Sequence, residues 1–225
     1  MGYKSIAIDG PSGAGKSTLA KLLAEKLGFL YMDTGAIYRT VGLYAFQRGV
    51  DPTDEQAVTA LLKDIGIEIC HGEDGLQRML LNGTDVTEEI RQNEISRYAS
   101  GVSAIPEVRA FLLDIQRKLA QEHHIIMDGR DIGTVVLPQA DLKIFLTADC
   151  EARARRRYEE LLQRGQTVEF ETVRSEMLQR DEKDEKRAAA PLCKAEDAIL
   201  ADTTGNSLEE SFERLLEIVR EHLTV

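Results

Sequence analysis

One eight-residue segment near the start of the sequence constrains its possible folds more than any other feature. Glycines stand at its first, fourth and sixth positions, and a lysine and a serine close it: Gly10, Pro11, Ser12, Gly13, Ala14, Gly15, Lys16 and Ser17. The segment matches the pattern G-x-x-x-x-G-K-[ST], in which a curled, glycine-rich backbone points successive N–H groups at phosphate oxygens. An apolar run precedes it and apolar residues at helical spacing follow it. We therefore predict a loop between a buried strand and the N-terminus of a helix, where anions are stabilised.

Two residues of this loop and one distant acidic residue are predicted to bind the phosphate groups and the metal ion that accompanies them. Lys16 is expected to reach the β- and γ-phosphates, and the Ser17 hydroxyl is expected to ligate Mg²⁺. Asp128 ends the apolar run 125–127, and polar residues at such strand ends gather at the ligand crevice of open α/β sheets. We expect Asp128 to hold Mg²⁺ through water. The alternative role for Asp128 is that of a turn or helix-capping residue.

The rest of the sequence alternates short apolar runs with segments of helical periodicity. This alternation predicts an α/β fold with a central parallel sheet of about five strands and helices on both faces. The segment 63–98 is different, because its isoleucines alternate with other residues at the period of a strand, and it contains two turn signals: 72–75 and 82–85. We therefore predict a core domain of residues 1–62 and 99–225 with a small antiparallel insert at 63–98.

Three residues carry helix-capping signals. Thr53, with Gln56 three residues later, is predicted to cap the N-terminus of one helix, and Ser207 that of the last helix. Gly28 stands where the C-terminal cap of the helix after the loop belongs. These signals predict where three helices begin or end.

Arginine is concentrated in one stretch of a chain that is acidic as a whole. The chain has 28 Lys and Arg against 39 Asp and Glu, a net charge of −11. The stretch nevertheless holds Arg153, Arg155, Arg156, Arg157, Arg164, Arg174, Arg180 and Arg187. Dense bidentate cations suit phosphate transfer, whereas a solvated helix face paired with glutamates would explain about half of them. Arg153, Arg156 and Arg157 share a helix face, and we expect part of the cluster to close over the transferring phosphate.

Composition argues against several other classes of protein. No apolar run approaches the about 18 residues of a membrane span, and the first residues carry no secretory signal pattern. Cys70, Cys150 and Cys193 are widely spaced, which disfavours a disulfide framework or structural zinc and fits a reducing cytosol. Net acidity argues against general binding to nucleic acid or anionic membranes. We therefore expect a cytoplasmic protein without nucleic-acid or membrane partners.

Four further segments carry a resemblance to a known family: DTGAIYR at 33–39, DGRDIGT at 128–134, RDEKDEKR at 180–187, and the strand 198–201 with the residues that follow it. Together with the loop, extended to Thr18, they resemble the bacterial cytidylate (CMP) kinases, of the nucleoside monophosphate kinase fold, over essentially the whole chain. The loop alone indicates only a superfamily, and the motifs at 33–39 and 128–134 are far more specific. The resemblance implies a P-loop kinase fold, with 63–98 in the monophosphate-binding domain and a helical lid at about 149–166.

The resemblance further implies an enzyme that transfers the γ-phosphoryl group of ATP to CMP or dCMP with Mg²⁺ as cofactor. It assigns the ATP site to the residues from Gly10 to Thr18 and to Arg156. It divides the CMP site into phosphate-binding, cytosine-reading and ribose-binding groups: Thr34, Arg39, Arg130 and Arg187; Ser100, Arg109 and Asp131; Arg180 and Asp184. The catalytic set is Lys16, Arg130, Arg153, Arg157 and Arg187.

Two other functions remain open on the sequence. One is another small-molecule P-loop kinase with a different acceptor, which phosphorylation rates with CMP, UMP, AMP and non-nucleotide acceptors would distinguish. The other is a nucleotide-dependent binding switch, which the absence of an N-K-x-D guanine-reading motif disfavours. The expected partners are ATP, CMP and dCMP, and the expected state is a monomer.

Overall fold

The computed structural model describes residues 2–72, 75–163 and 165–223. Its strands are β1 (Ser5–Asp9), β2 (Leu30–Asp33), β3 (Ile67–His71), β4 (Gln77–Leu81), β5 (Thr84–Asp85), β6 (Ile125–Gly129), β7 (Leu142–Thr147) and β8 (Ile199–Asp202). Its α-helices are α1 (Lys16–Leu27), α2 (Thr34–Gln47), α3 (Glu55–Leu61), α4 (Asn93–Val102), α5 (Pro106–Glu122), α6 (Cys150–Gln163), α7 (Phe170–Lys186) and α8 (Leu208–His222). A single 3₁₀ turn covers Glu89–Arg91, and a π-helical turn covers Ile132–Val136.

A five-stranded sheet has the order β2-β6-β1-β7-β8. Strand β1 pairs in parallel with β6 and β7, and β7 pairs in parallel with β8. The middle of β1, from Ile6 to Ile8, is completely buried, as expected for a parallel strand with both faces covered. The predicted α/β architecture with a parallel sheet of about five strands is confirmed.

The chain divides into two compact units, Met1–Phe29 with His124–Val225 and, separately, Leu30–His123. In the first unit, α1 packs on β1, β6 and α8, and α6 packs on α7. In the second unit, α2 packs on α4 and α3 packs on α5. The predicted insert at 63–98 lies inside the second unit, and its own boundaries stay a prediction.

The predicted insert contains a small antiparallel sheet with the order β3-β4-β5. Ile67 pairs with Leu81 in its first ladder. Asn82 and Gly83 both have positive φ, at 49° and 81°, the conformation of a two-residue hairpin turn between β4 and β5. The other predicted turn, at 72–75, includes Glu73 and Asp74, which lie outside the described residues.

Two of the three predicted helix caps are confirmed. Gly28 follows α1 with φ 67°, and Ser207 forms a reciprocal capping box with Glu210 at the start of α8. Thr53 was the wrong residue, because the Asp54 side chain caps α3 by accepting from the backbone N–H of Ala57. The Thr53 N–H and hydroxyl donate instead to the carboxylate of Asp51, a local turn that moves the cap one residue later.

The described ranges contain no helix that combines the length and the apolar character needed to cross a membrane.

The crossing of α2 and α4 requires a glycine. A Cβ atom on Gly42 would lie 2.8 Å from the backbone nitrogen of Ala99, so Gly42→Ala must push the helices apart. We expect this substitution to lower the free energy of unfolding by about 1–3 kcal/mol, measured by urea denaturation. Gly2→Ala is the control, since its Cβ would meet no atom within 4 Å. An unchanged unfolding midpoint for Gly42→Ala would contradict the close crossing.

Candidate functional site

The loop between β1 and α1 has the backbone that its glycines predict. Gly10, Gly13 and Gly15 have φ values of 150°, 73° and 90°, which side chains disfavour. A Cβ atom on Gly10 would also lie 1.9 Å from the carbonyl oxygen of Leu146 in β7. Helix α1 begins at Lys16 directly after Gly15, which has no side chain to cap the first helical N–H groups. This helix N-terminus therefore suits a phosphate, and Thr18 lies in its first turn.

Lys16 is buried at the start of α1 among other cations. Its Nζ donates to the carbonyl oxygen of Pro11 at 2.7 Å, and the residue is only 5% exposed. Burial, and after it the charge of Arg130, lowers the pKa of Lys16 well below its ordinary value, and Arg180 acts in the same direction. The Asp128 carboxylate opposes this shift. An anionic phosphate at this point would relieve the repulsion among the three cations.

Ser17 and Asp128 lie together, as expected of two residues that bind one metal ion. The Ser17 hydroxyl donates to Oδ2 of Asp128 at 2.8 Å. Hydroxyl and carboxylate oxygens are the hard ligands that Mg²⁺ prefers, and Mg²⁺ usually keeps several waters and phosphate oxygens besides one or two protein ligands. This donor pair therefore fits a Mg²⁺ ion that accompanies a nucleotide.

Asp9 is a buried acidic residue beside the loop, and no sequence motif indicated a role for it. Its two carboxylate oxygens accept from the backbone N–H groups of Ile132 and Gly133 at 2.8 and 2.7 Å. Burial raises the pKa of Asp9 to about 6, although these two hydrogen bonds act to lower it. Asp9 thereby holds the start of the π-helical turn that follows Asp131. Its position at the end of the buried strand β1, directly before the loop, is the sequence feature that could have indicated a structural role for Asp9.

Five of the residues predicted to bind CMP lie in the first unit, and the structure joins four of them in two ion pairs. Nε of Arg130 donates to Asp184 at 2.9 Å, and a terminal nitrogen of Arg187 donates to Asp131 at 3.2 Å. Burial acts to raise the pKa of Asp184, but Arg130 and Arg180 outweigh it and hold that pKa below its ordinary value. The end of α7 and the segment after β6 are thus held together by charge.

The second unit holds the other predicted CMP-binding residues, two of them at the start of α2. Asp33 caps this helix by accepting from the N–H of Ala36 at 3.0 Å, and Thr34 is its first residue. Arg39 donates to the second carboxylate oxygen of Asp33 at 2.6 Å. Burial acts to raise the pKa of Asp33, but Arg39 and the hydrogen bond from Ala36 act together to hold that pKa below its ordinary value. Asp33 therefore orients the predicted phosphate-binding Arg39.

Ser100 and Arg109 lie on α4 and α5. Arg109 donates to the carbonyl oxygen of Ser103, and the hydroxyl of Ser103 donates in turn to the carbonyl oxygen of Ser100. The Arg109 guanidinium also lies over the ring of Tyr38, 5.5 Å from its centroid. Tyr38 thus supports a predicted base-reading residue, a role that the sequence motif did not indicate.

The predicted lid arginines differ widely in their contacts. Arg156 donates to the carbonyl oxygen and hydroxyl of Thr203, beyond β8. Three other arginines of the stretch pair with glutamates on their own helices, as the alternative of a solvated helix face predicts: Arg155–Glu151, Arg157–Glu160 and Arg174–Glu171. Arg164 lies outside the described residues. Arg153 is buried and bonded to the backbone of the loop, which the sequence pattern did not indicate. The expected closure over the transferring phosphate stays a prediction.

The raised pKa of Asp9 has a consequence for stability. Because its pKa lies above the ordinary 3.8, its proton favours the folded state below about pH 4, and this contribution is lost as the pH rises through about 6. Between about pH 5 and about pH 7.5, the wild-type protein should therefore lose about 1 kcal/mol more stability than Asp9→Asn. Urea denaturation of both proteins at the two pH values measures this difference. Equal losses would contradict the raised pKa.

The chain is similar to known proteins along nearly its whole length. The family model described as Cytidylate kinase matches residues 6–221. The Cytidylate kinase of Carboxydothermus hydrogenoformans is 52% identical over 214 residues, which cover 95% of this chain and 96% of that protein. The Bacillus subtilis protein of the same name is 48% identical over 217 residues, with 96% of each chain covered. A crystal structure of an uncharacterized protein from Eubacterium ventriosum, 14% identical with 97% and 98% coverage and a TM-score of 0.54, supports the fold alone. The chain belongs to the cytidylate kinase family.

Proposed function

We propose that this protein transfers the γ-phosphoryl group of ATP to CMP or dCMP, giving ADP and CDP or dCDP. The observation that carries the proposal is family membership along nearly the whole chain, with a relative named Cytidylate kinase at 52% identity over 214 residues. The geometry supports it independently, since a glycine-rich loop opens a helix whose first residue is the buried Lys16. A cytoplasmic location and a monomeric state stay predictions.

The proposed reaction needs positioning and charge neutralisation more than covalent participation by the protein. An oxygen of the acceptor phosphate forms a bond to the γ-phosphorus as the bond to the β–γ bridging oxygen breaks, and ADP leaves with that oxygen. No side-chain base is required, because the acceptor oxygen is already anionic. Lys16 and the N–H groups of the loop are proposed to neutralise the charge that develops on the donor.

Mg²⁺, held by Ser17 and through water by Asp128, would neutralise charge on the donor phosphates. The ATP-binding role of the residues from Gly10 to Thr18 and of Arg156 is likewise proposed. Arg156 is oriented by its two hydrogen bonds to Thr203, which keep its guanidinium near the end of β8. Closure of a lid at about 149–166 would exclude water that could otherwise hydrolyse ATP.

The acceptor roles follow the family motifs. We assign the acceptor phosphate to Thr34, Arg39, Arg130 and Arg187, cytosine to Ser100, Arg109 and Asp131, and ribose to Arg180 and Asp184. Each of the three phosphate-binding arginines is bonded to a carboxylate: Asp33, Asp184 and Asp131 respectively. Such pairs orient a guanidinium before the phosphate arrives, which lowers the cost of binding. Of the two arginines predicted from α6 to be catalytic, Arg153 and Arg157, we retain Arg157 for contact with the transferring phosphate, because the Arg153 guanidinium is bonded to Ala148, Ser12 and Asp181.

One assay tests the proposed function directly. ADP production is followed with ATP, Mg²⁺ and a panel of acceptors: CMP, dCMP, UMP, AMP and shikimate. We expect high rates with CMP and dCMP alone. A higher rate with another acceptor would favour a different small-molecule kinase, and no ADP with any acceptor would favour a binding switch.

Lys16 is the residue whose loss should most reduce turnover. Lys16→Met keeps the buried stem but removes the charge, so the fold should be retained while the rate falls about 10³-fold or more. The coupled assay measures the rate, and circular dichroism checks the fold. Lys21→Met, on the same helix, is a control for loss of positive charge and should keep the wild-type rate. A folded Lys16→Met enzyme with a tenth of wild-type turnover would contradict the role of Lys16.

Asp131 should decide the choice of base. An ionised carboxylate accepts a hydrogen bond from the N4 amino group of cytosine, whereas uracil presents a carbonyl oxygen at that position. We expect the wild-type enzyme to prefer CMP over UMP by as much as about 10⁴-fold in kcat/KM. Asp131→Ala should bring this ratio close to one, mainly by reducing CMP turnover. Full discrimination by the variant would mean that another residue reads the base.

A further inference from the structure

We propose that Arg153 and Asp181 are positioning residues that hold the phosphate loop ready for its nucleotide. They form a buried ion pair between helices α6 and α7, and both are bonded to the backbone of Ser12 in the loop. The proposal rests on the proposed function, because it takes the nucleotide bound by the loop to be the phosphoryl donor. The proposal gives Asp181 a role that no sequence motif indicated. It also gives Arg153 a positioning role in place of the predicted contact with the transferring phosphate.

The two residues of the pair each form a hydrogen bond with the backbone of Ser12. A terminal nitrogen of Arg153 donates to the carbonyl oxygen of Ser12 at 2.9 Å and also to Oδ2 of Asp181. The other carboxylate oxygen, Oδ1, accepts from the backbone N–H of Ser12 at 3.3 Å. Nε of Arg153 donates to the carbonyl oxygen of Ala148 at 2.9 Å, which anchors the guanidinium to the segment before α6. One ion pair thus binds both backbone polar groups of a single loop residue.

Close packing around the next residue fits the same role. A Cβ atom on Gly13 would lie 3.0 Å from the carbonyl oxygen of Arg153 and 3.3 Å from the sulfur of Met177 in α7. Arg153 and Asp181 are each only 7% exposed. The loop and the two helices therefore pack so closely that Gly13 has no room for a side chain. A shift of α6 or α7 would consequently displace the backbone of the loop.

A buried ion pair is a poor source of stability, because desolvating two charges offsets much of their attraction. Apolar residues of similar size would hold α6 against α7 as well or better. Such residues could not, however, hold the Ser12 backbone. A glycine-rich loop has many backbone conformations, and fixing one of them in advance reduces the entropy lost when a phosphate binds. The benefit of the pair should therefore appear in nucleotide affinity.

The position of Asp181 on α7 allows a specific test. Its neighbours Arg180 and Asp184 are assigned to the ribose of CMP, and Asp184 bonds Arg130 rather than the loop. A general disturbance of α7 would weaken the donor and the acceptor together, whereas loss of the bonds to Ser12 should weaken the donor alone. The ratio of the two effects separates positioning of the loop from support of the helix.

The first experiment uses Asp181→Asn in the full chain. We expect the Kd for ADP with Mg²⁺, measured by calorimetry without CMP, and the KM for ATP to rise about tenfold or more. The KM for CMP should stay within about twofold of wild type. Asp197→Asn is the matched control, since it removes the carboxylate partner of buried Lys143 without touching the loop, and it should leave all three constants unchanged.

A second variant separates positioning from stability. Arg153→Met combined with Asp181→Leu replaces the pair by apolar side chains and leaves no unpaired charge, so the protein should unfold at a similar urea concentration to wild type. Its ADP affinity should still be about tenfold weaker, because the Ser12 backbone has lost both partners.

Several outcomes would overturn the proposal. A folded double variant with wild-type ADP affinity would show that the pair only packs the helices. An equal rise in the constants for CMP and ATP would show that it supports the whole unit. Failure of both variants to fold would make the pair a folding requirement rather than a positioning device. Failure of the wild-type enzyme to phosphorylate CMP would refute the proposed function, while the ADP affinities would still decide the role of the pair.

Discussion

The arrangement of the site depends on one close approach at the carboxyl end of β1. There the backbone of Gly10 passes so near the carbonyl oxygen of Leu146 in β7 that a Cβ atom would lie 1.9 Å from it. The chain must therefore leave the sheet at this residue, and Gly13 and Gly15 continue the turn with positive φ into α1. Strand packing thus places the loop, and Asp9, one residue earlier, ties its base to the segment after β6.

Positive charge around the loop is organised by buried carboxylates. Three arginines of the first unit each form an ion pair with an acidic residue from a different segment: Arg130–Asp184, Arg187–Asp131 and Arg153–Asp181. The pairs offset the cost of burying charge and orient each guanidinium. Lys16 donates to a neutral carbonyl oxygen, and burial lowers its pKa. Within the described part of the chain, Lys16 has no such ion pair with an acidic residue, so a bound phosphate is stabilised most strongly beside it. This local positive charge explains how an acidic chain can bind an anionic substrate.

Local patterns predicted the elements of this fold well and some of its details badly. The strand, loop and helix around the phosphate motif follow from short-range backbone preferences, and so do the cap at Ser207 and the turn at Asn82. Thr53 was predicted as a cap from spacing alone. The carboxylate of Asp51, two residues earlier, takes up its N–H and hydroxyl, so the cap moved to Asp54. Such competition between neighbouring polar groups is too finely balanced for a spacing rule.

The sequence by itself determined the α/β class, the phosphate loop and the family, because the motifs for these are contiguous and report local backbone geometry. The tertiary structure alone decided which distant partners the buried charged side chains around the loop take. Asp9 meets Ile132 only because β1 and β6 pair in parallel, and Arg153 meets the Ser12 backbone only because α6 packs against α7 beside the loop. Those partners are more than a hundred residues apart in the chain, and no local periodicity records which distant segments the sheet brings together.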